Sequence, residues 1–500
     1  MLVFARSWEV GKMPVGDVAP ELVLLVGAVI ILIFALFAPR RMQRWAAVLA
    51  LVTLIISAVA TVHLAQSAGD VGRFTFSGTY AVDGAALWGK FIILGATAIV
   101  IALSVDWFAT DPRHGEYYAI LLMAALGAVL MAGASDIMEL TLAVLLSSVT
   151  GYVLVAYHRR SKRAGEAALK YYLLGALANG AMVYGIVLLF GLAATTTYSG
   201  LLVHLARADS LALVAAVGLV IVGLAFKIGA VPVHAWMPDV ADGAPVPIAA
   251  FVTAVPKIGA LIALARFVIL LPESGVGWRP VVALLAAVTM TLGNAAALWQ
   301  DDVRRLLGWS AVSQTGYGLM AVVALGRSTL AMPSLLFFLV AYTLANLAAF
   351  GVVAELRGEA KRMRYADLAR THPLLAAVLV VSFLSFVGIP PLAGFGAKLA
   401  LFGAVVDAGY GWLAIVAIIN TVVSLAYYAR VLGPVCFGPT EAEISTNMRA
   451  EVAGAVTPPL PTLGRWAAVS AIASAAALVV LGICAEPLLA IFRSVHVLPR

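Results

Sequence analysis

The chain has 500 residues, of which 63% are hydrophobic and 11% charged, and its formal net charge is +7. A water-soluble surface needs far more charge than this, so composition excludes a set of soluble domains and points to a chain dissolved in lipid. At about 20 residues per apolar span plus a loop, the length accommodates about fourteen membrane-crossing helices.

The N-terminus shows no short basic segment leading into an apolar stretch with a small-residue cleavage site, so the first span is expected to be retained. Apolar runs bounded by charged or Gly/Pro-rich breaks fall near 21–38, 45–67, 85–105, 117–133, 136–157, 167–191 and 210–231. Seven more fall near 245–271, 279–299, 303–325, 331–355, 373–406, 410–437 and 465–490. Barrel strands would show alternating segments of about ten residues, so run length selects helices. The expected fold is an all-α polytopic membrane protein. Cys436 and Cys484 lie in apolar runs with no second Cys or His at ligand spacing, which argues against disulfides, zinc and iron–sulfur clusters.

Loops after odd-numbered spans carry seventeen Lys and Arg, among them Arg40, Arg41, Arg44, Arg159, Arg304, Arg305, Lys361 and Arg449. Loops after even-numbered spans carry only Arg73, Arg207, Arg279 and Arg327. The positive-inside rule then places the odd-numbered loops in the cytoplasm and both termini outside. The net positive charge is this asymmetry, and nucleic acid has no separate support as a partner.

Spans seven and twelve are interrupted in the same way, at Phe226-Lys227-Ile228-Gly229-Ala230-Val231-Pro232 and at Phe386-Val387-Gly388-Ile389-Pro390-Pro391. Proline removes a backbone donor and clashes with the preceding turn, so broken helices are expected, with freed carbonyls in need of partners. Interruptions five spans apart on oppositely directed segments predict an inverted repeat of spans four to eight and nine to thirteen. The chain would then divide into a three-helix segment (1–116), a first five-helix repeat (117–272), a second, inverted one (273–437), and a loop with the last helix (438–500).

Few charges remain inside the spans. Lys90, Arg266 and Arg430 sit toward span ends and are expected to snorkel to the interface. Lys227 and Lys398 lie beside the two breaks, Lys257 about two turns into span eight, and Lys170 one turn inside span six. A lysine at the bilayer centre costs at least ~2.5 kcal/mol, so four of them require pairing, water or a use. Glu139 is the only carboxylate clearly within a span, too few to neutralise four amines. Lysine suits proton relay because its surroundings can adjust its proton affinity, whereas arginine stays charged. His234 in the first break and Ser310, Ser313, Gln314 and Thr315 on span ten are further candidates.

The stretch Phe226 to Val240, with His234-Ala235-Trp236-Met237-Pro238-Asp239, followed by Asp242-Gly243-Ala244-Pro245 and Val255-Pro256-Lys257, resembles the signature of antiporter-like membrane subunits of respiratory complex I. Asp302-Val303-Arg304-Arg305 and Gly388-Ile389-Pro390-Pro391 with Gly394-Phe395-Gly396-Ala397-Lys398 extend the resemblance, which covers about 117–437. It implies fourteen helices with two inverted five-helix repeats, in a complex of membrane and peripheral subunits in the cell's inner or plasma membrane. There NADH, FMN, iron–sulfur clusters and quinone serve in other subunits and none is held here. By matching position, Lys170 is similar to the lysine that pairs with a span-five carboxylate, Lys227 to the central lysine, Lys257 to the bridging one and Lys398 to the distal one; His234 matches the loop histidine. Among the subunit types the N type fits best, since Lys398 stands where the M type usually has glutamate, and the long lateral C-terminal helix that marks the L type is not expected here. Multisubunit cation/proton antiporters share the fold and are the alternative. Two positions depart from the family: its span-five glutamate falls at Leu145, with Glu139 the nearest carboxylate, and Gln314 stands where many relatives have histidine.

Overall fold

The computed structural model describes residues 14–69, 72–109, 111, 114–158, 160–205, 211–271, 277–438, 464–495 and 497–498. Of the basic residues that set the predicted orientation, Arg113, Arg159, Arg207 and Arg449 lie outside the described residues, as does most of the predicted loop that opens the 438–500 segment.

The helices in chain order are α1 (Ala19–Phe37), α2 (Trp45–Ala68), α3 (Gly84–Trp107), α4 (Gly115–Gly133), α5 (Ile137–Val155), α6 (Lys162–Ala193), α7 (Tyr198–Leu205), α8 (Leu211–Ile228), α9 (Trp236–Gly243) and α10 (Val246–Val268). They continue with α11 (Trp278–Leu298), α12 (Val303–Ala324), α13 (Ala331–Glu355), α14 (Leu368–Thr371), α15 (Pro373–Val387), α16 (Ala393–Asp407), α17 (Gly411–Phe437), α18 (Arg465–Ile483) and α19 (Ala485–Arg493). Among the described residues, twelve helices are long and apolar enough to cross a membrane. The more polar α12 and the interrupted α15–α16 pair match the other two expected spans. The protein is a multi-pass membrane protein.

Side-chain caps set several helix starts. Asp83 accepts from the Ala86 amide to open α3, Asp136 from Met138 and Glu139 to open α5, Ser161 from Ala164 to open α6, and Asp302 from Arg304 and Arg305 to open α12. Each satisfies amides that the first turn leaves without a helical acceptor. Every residue of α10 is buried, so this helix forms the centre, whereas α1, α2, α6, α11 and α17 each keep an exposed apolar face.

Three features differ from the sequence reading. A two-stranded antiparallel hairpin, β1 (Arg73–Thr75) and β2 (Tyr80–Val82), fills the loop before α3, and the short helices α7 and α14 occupy connections. Elements this short carry no readable period. Helix α6 begins earlier than expected and has 32 residues, about 48 Å at 1.5 Å per residue, which exceeds a hydrocarbon core of about 30 Å.

Both predicted breaks are present. Helix α8 ends at Gly229 (φ 75°) and α15 at Gly388 (φ 90°), left-handed positions that glycine adopts without a Cβ penalty. The packing pairs of the segments around them correspond. Helix α4 packs on α5 as α11 packs on α12, and α5 on α6 as α12 on α13. Likewise α6 packs on α8 and α9 as α13 does on α15 and α16, and α10 on α4 and α5 as α17 does on α11 and α12.

Candidate functional site

Breaking a helix frees carbonyls, and at both breaks side chains take them up. In the first, the Phe226 carbonyl accepts from Trp236 Nε1 (3.1 Å) and the Ile228 carbonyl from Thr315 Oγ1 (2.7 Å). In the second, the Phe386 carbonyl accepts from Lys398 Nζ (2.7 Å) and from Gln314 Nε2 (3.2 Å), and the Val387 carbonyl from Lys398 Nζ (3.2 Å). Helix α12 therefore reaches one break through Thr315 and the other through its sequence neighbour Gln314. One turn earlier on the same helix, the Ala311 carbonyl accepts from Lys257 Nζ at 2.7 Å.

The three central lysines are buried, with exposures of 1% for Lys227, 1% for Lys257 and 4% for Lys398. Among the described residues no carboxylate forms an ion pair with any of them; their partners are neutral oxygens and aromatic rings. Lys227 donates to Ser148 Oγ on α5 (3.2 Å). Lys257 donates also to Tyr342 OH (3.3 Å) and lies 4.6 Å from the centre of that ring. Lys398 approaches Thr421 Oγ1 (3.5 Å) and lies 4.0 Å from the centre of the Tyr317 ring. Neutral oxygens and π-faces stabilise an ammonium without fixing it as a carboxylate would. A cavity of about 10 Å³ bounded by Gln314, Tyr342, Ser385 and Lys398 joins the surroundings of the middle and distal lysines, enough for about one water molecule.

The structure does not bring all the predicted residues together. Lys170 is half-exposed and pairs with Glu166 Oε1 (2.7 Å) and with Asp239 Oδ2 on α9 (3.1 Å). Asp239 is held in turn by Arg305 Nη1 (2.7 Å), and these residues line an open cavity of about 200 Å³. Glu139 is no partner of Lys170. It lies on the first turn of α5, nine residues before Ser148 and thus about 14 Å away along the helix. His234 is half-buried against the Trp309 ring, 5.5 Å between ring centres, and bonds none of the lysines.

Lys90 and Arg266 do not snorkel: both are fully buried. Lys90 pairs with Glu21 Oε1 (2.7 Å) and Arg266 with Asp83 (2.6 Å), so Glu139 is not the only carboxylate inside. Around them α3 and α10 pack on α4, α3 meets the hairpin and Glu21 reaches Lys90 from α1, which an apolar run cannot reveal. Arg430 is partly exposed and pairs with Asp301 (3.1 Å), as an interfacial residue should. Cys436 and Cys484 are unpaired and exposed. The sequence reading also passed over Ser148, Tyr342, Asn346 and Thr421. Tyr342 OH and Asn346 Nδ2, one turn apart on α13, bond Thr253 of α10, and that i, i+4 polar pair was the legible signal.

Two helices broken beside buried lysines, with α12 bonded into both breaks, mark a class, the antiporter-like membrane subunits. Residues 134–424 match the family described as NADH:quinone oxidoreductase/Mrp antiporter, TM. A respiratory complex I chain from Thermus thermophilus superposes with a TM-score of 0.79 at 29% identity, covering 95% of this chain and all of that one. A chain of the Mrp complex from Dietzia sp. DQ12-45-1b shares the fold, with a TM-score of 0.83 at 21% identity over 96% of this chain and 97% of the other. Within the class, NADH-quinone oxidoreductase subunit N 1 of Streptomyces griseus is 44% identical over 467 residues, 93% of this chain and 94% of the relative. The chain belongs to the NADH-quinone oxidoreductase subunit N family.

Proposed function

We propose that this chain is a proton-translocating membrane subunit of an NADH:quinone oxidoreductase, a translocase component in which other subunits carry the electrons. Family membership supports the place in the complex. The observation that carries the mechanism is that Lys227, Lys257 and Lys398 are buried without carboxylate partners among the described residues, with α12 bonding Lys257 directly at Ala311, sharing the Phe386 carbonyl with Lys398 through Gln314, and reaching the break beside Lys227 through Thr315.

The open cavity at Lys170 and Asp239 is the side of uptake, facing the cytoplasm in the orientation set by the basic loops. Change elsewhere in the complex alters the charge balance around Lys170 and the first break, where His234 lies, and Lys227 releases its proton toward Lys257. The amide of Gln314 cannot titrate, so a water in the adjoining cavity carries the proton onward to Lys398, which passes it outward. Each proton moved against 100 mV costs about 2.3 kcal/mol, which quinone reduction in the partner subunits must supply. The units 117–272 and 273–437 act as inverted halves of this path, a reading supported by their corresponding packing pairs. The membrane is the cell's inner or plasma membrane, with both termini outside.

In the assembled complex, Lys227→Ala is expected to leave electron transfer in place and remove this subunit's share of pumping. An unchanged proton-to-electron ratio in liposomes would overturn the role. The family description also covers Mrp antiporters. Sodium-dependent proton movement in vesicles without NADH would favour that second reading.

A further inference from the structure

A second buried charge cluster lies away from the lysine row. Glu21 of α1, Lys90 of α3 and Tyr80 of β2 meet near the Arg266–Asp83 pair, with Ser135 bonded to the hairpin and Glu139, on the first turn of α5, within electrostatic reach of Glu21, Lys90 and Arg266. Glu21 Oε1 accepts from Tyr80 OH (2.5 Å) and pairs with Lys90 Nζ (2.7 Å), whose side chain is fully buried. The hairpin is clamped over the group, since the Ser135 amide donates to the Thr79 carbonyl (2.8 Å) and Tyr80 bridges to Ala134.

The cluster is separate from the row on two independent helices. Glu139 precedes Ser148 by nine residues on α5, and Arg266 follows Lys257 by nine on α10. Nine residues are about 14 Å and two and a half turns, so both helices give one face to the lysines and the opposite face, displaced toward one end, to this cluster. That end carries the loops after even-numbered spans, opposite the Lys170 cavity.

A structural brace explains only half of it. Arg266 binds both oxygens of Asp83 (2.6 and 3.0 Å) and the carbonyls of Ala132 (3.1 Å) and Leu498 (2.6 Å). Asp83 also accepts from the amides of Ala86 (2.9 Å) and Leu498 (2.8 Å). The other half is open. Glu21 Oε2, Glu139 Oε2, Ser135 Oγ and the Tyr198 hydroxyl are buried without a hydrogen-bond partner among the described residues, where the Arg266 guanidinium leaves only Nε so. Open carboxylate and hydroxyl oxygens gathered beside a lysine–carboxylate pair are sites for a proton in passage.

We propose that Glu139, with the Lys90–Glu21 pair, is a proton-exchange site serving the outer face. Glu139 takes up one proton as a carboxyl and gives the same proton to the outside, while Lys90–Glu21 balances its charge and Ser135 and Tyr198 hold the hydroxyls along the way. The inference rests on the proton-translocating reading, and the test separates the two.

Glu139→Gln and Tyr198→Phe are compared with Lys227→Ala in the assembled complex, by proton-to-electron ratio in native membrane vesicles. The expected result is that Glu139→Gln loses pumping as fully as Lys227→Ala, and that Tyr198→Phe, which keeps the packing, lowers the ratio in the same direction. Wild-type ratios in both variants with a loss in Lys227→Ala would overturn the exchange site and leave the lysine row standing. Should Glu139→Gln fail to assemble, Tyr198→Phe decides: a wild-type ratio there overturns the site, a lowered one supports it.

Discussion

Lys257 stands on α10, a helix buried along its whole length, so its amine has no lipid headgroup or bulk water to reach. Its contacts are one carbonyl, one hydroxyl and one aromatic face. Exchanging a buried charged group for an apolar one of similar volume is often neutral for stability, because the desolvation cost goes with the charge. Lys257→Met is therefore expected to leave assembly and thermal midpoint near wild type and to remove proton transfer through this subunit. Tyr342→Phe takes away one oxygen that serves Lys257 and the Thr253 carbonyl while keeping the ring under the amine. It should slow pumping without abolishing it, read as the rate of pH change in vesicles at matched NADH oxidation. Equal loss in the two variants would show that the amine cannot work without the hydroxyl.

At the scale of elements, the two breaks decide where amines can sit. Gly394, at the start of α16, approaches the end of α15 so closely that an added Cβ would lie 1.8 Å from the Ser385 carbonyl oxygen. Backbone cannot yield as a side-chain tip does, so Gly394→Ala must push α16 away from α15 and carry Lys398 off the Phe386 and Val387 carbonyls. Overpacking of this kind costs typically about 1 to 3 kcal/mol. The expected phenotype is a lowered thermal midpoint of the assembled complex together with weakened pumping; retention of both would show that the α15–α16 junction tolerates a shift. Much of this level was legible in the sequence. Gly229, Pro232, Gly388 and Pro390 interrupt long apolar runs; of the lysines beside the two breaks only Lys398 takes up freed carbonyls, while those of the first break go to Trp236 and Thr315. What was not legible is which oxygens meet which amine. Ser148, Tyr342 and Thr421 come from helices far apart in sequence, and a single polar residue in an apolar run does not announce the neighbour it faces. For the same reason Lys170 read as an inner residue, because an apolar run does not show that α6 has 32 residues and projects beyond the hydrocarbon.

Across the whole molecule, α3 is joined to α4 and α10 by buried charge as well as by apolar packing. Arg266, at the end of α10, ties Asp83 at the start of α3 to the Ala132 carbonyl of α4 and to Leu498 near the C-terminus. Three stretches of chain remote in sequence thus converge on one guanidinium. Removing one partner of such a pair strands the other in a dry interior, at a cost of about 3 to 5 kcal/mol. Arg266→Gln should therefore lower the thermal midpoint or prevent accumulation of the complex, because Asp83 loses its countercharge and the Leu498 carbonyl its guanidinium donor together. Asp83→Asn, which strands the guanidinium, should do the same, whereas Arg430→Gln at the partly exposed Asp301 pair should cost no more than about 1 kcal/mol. The check is detergent-solubilised thermal unfolding of the three variants side by side. If Arg266→Gln proves no more harmful than Arg430→Gln, the three segments are held by apolar contact alone and the buried pair is dispensable.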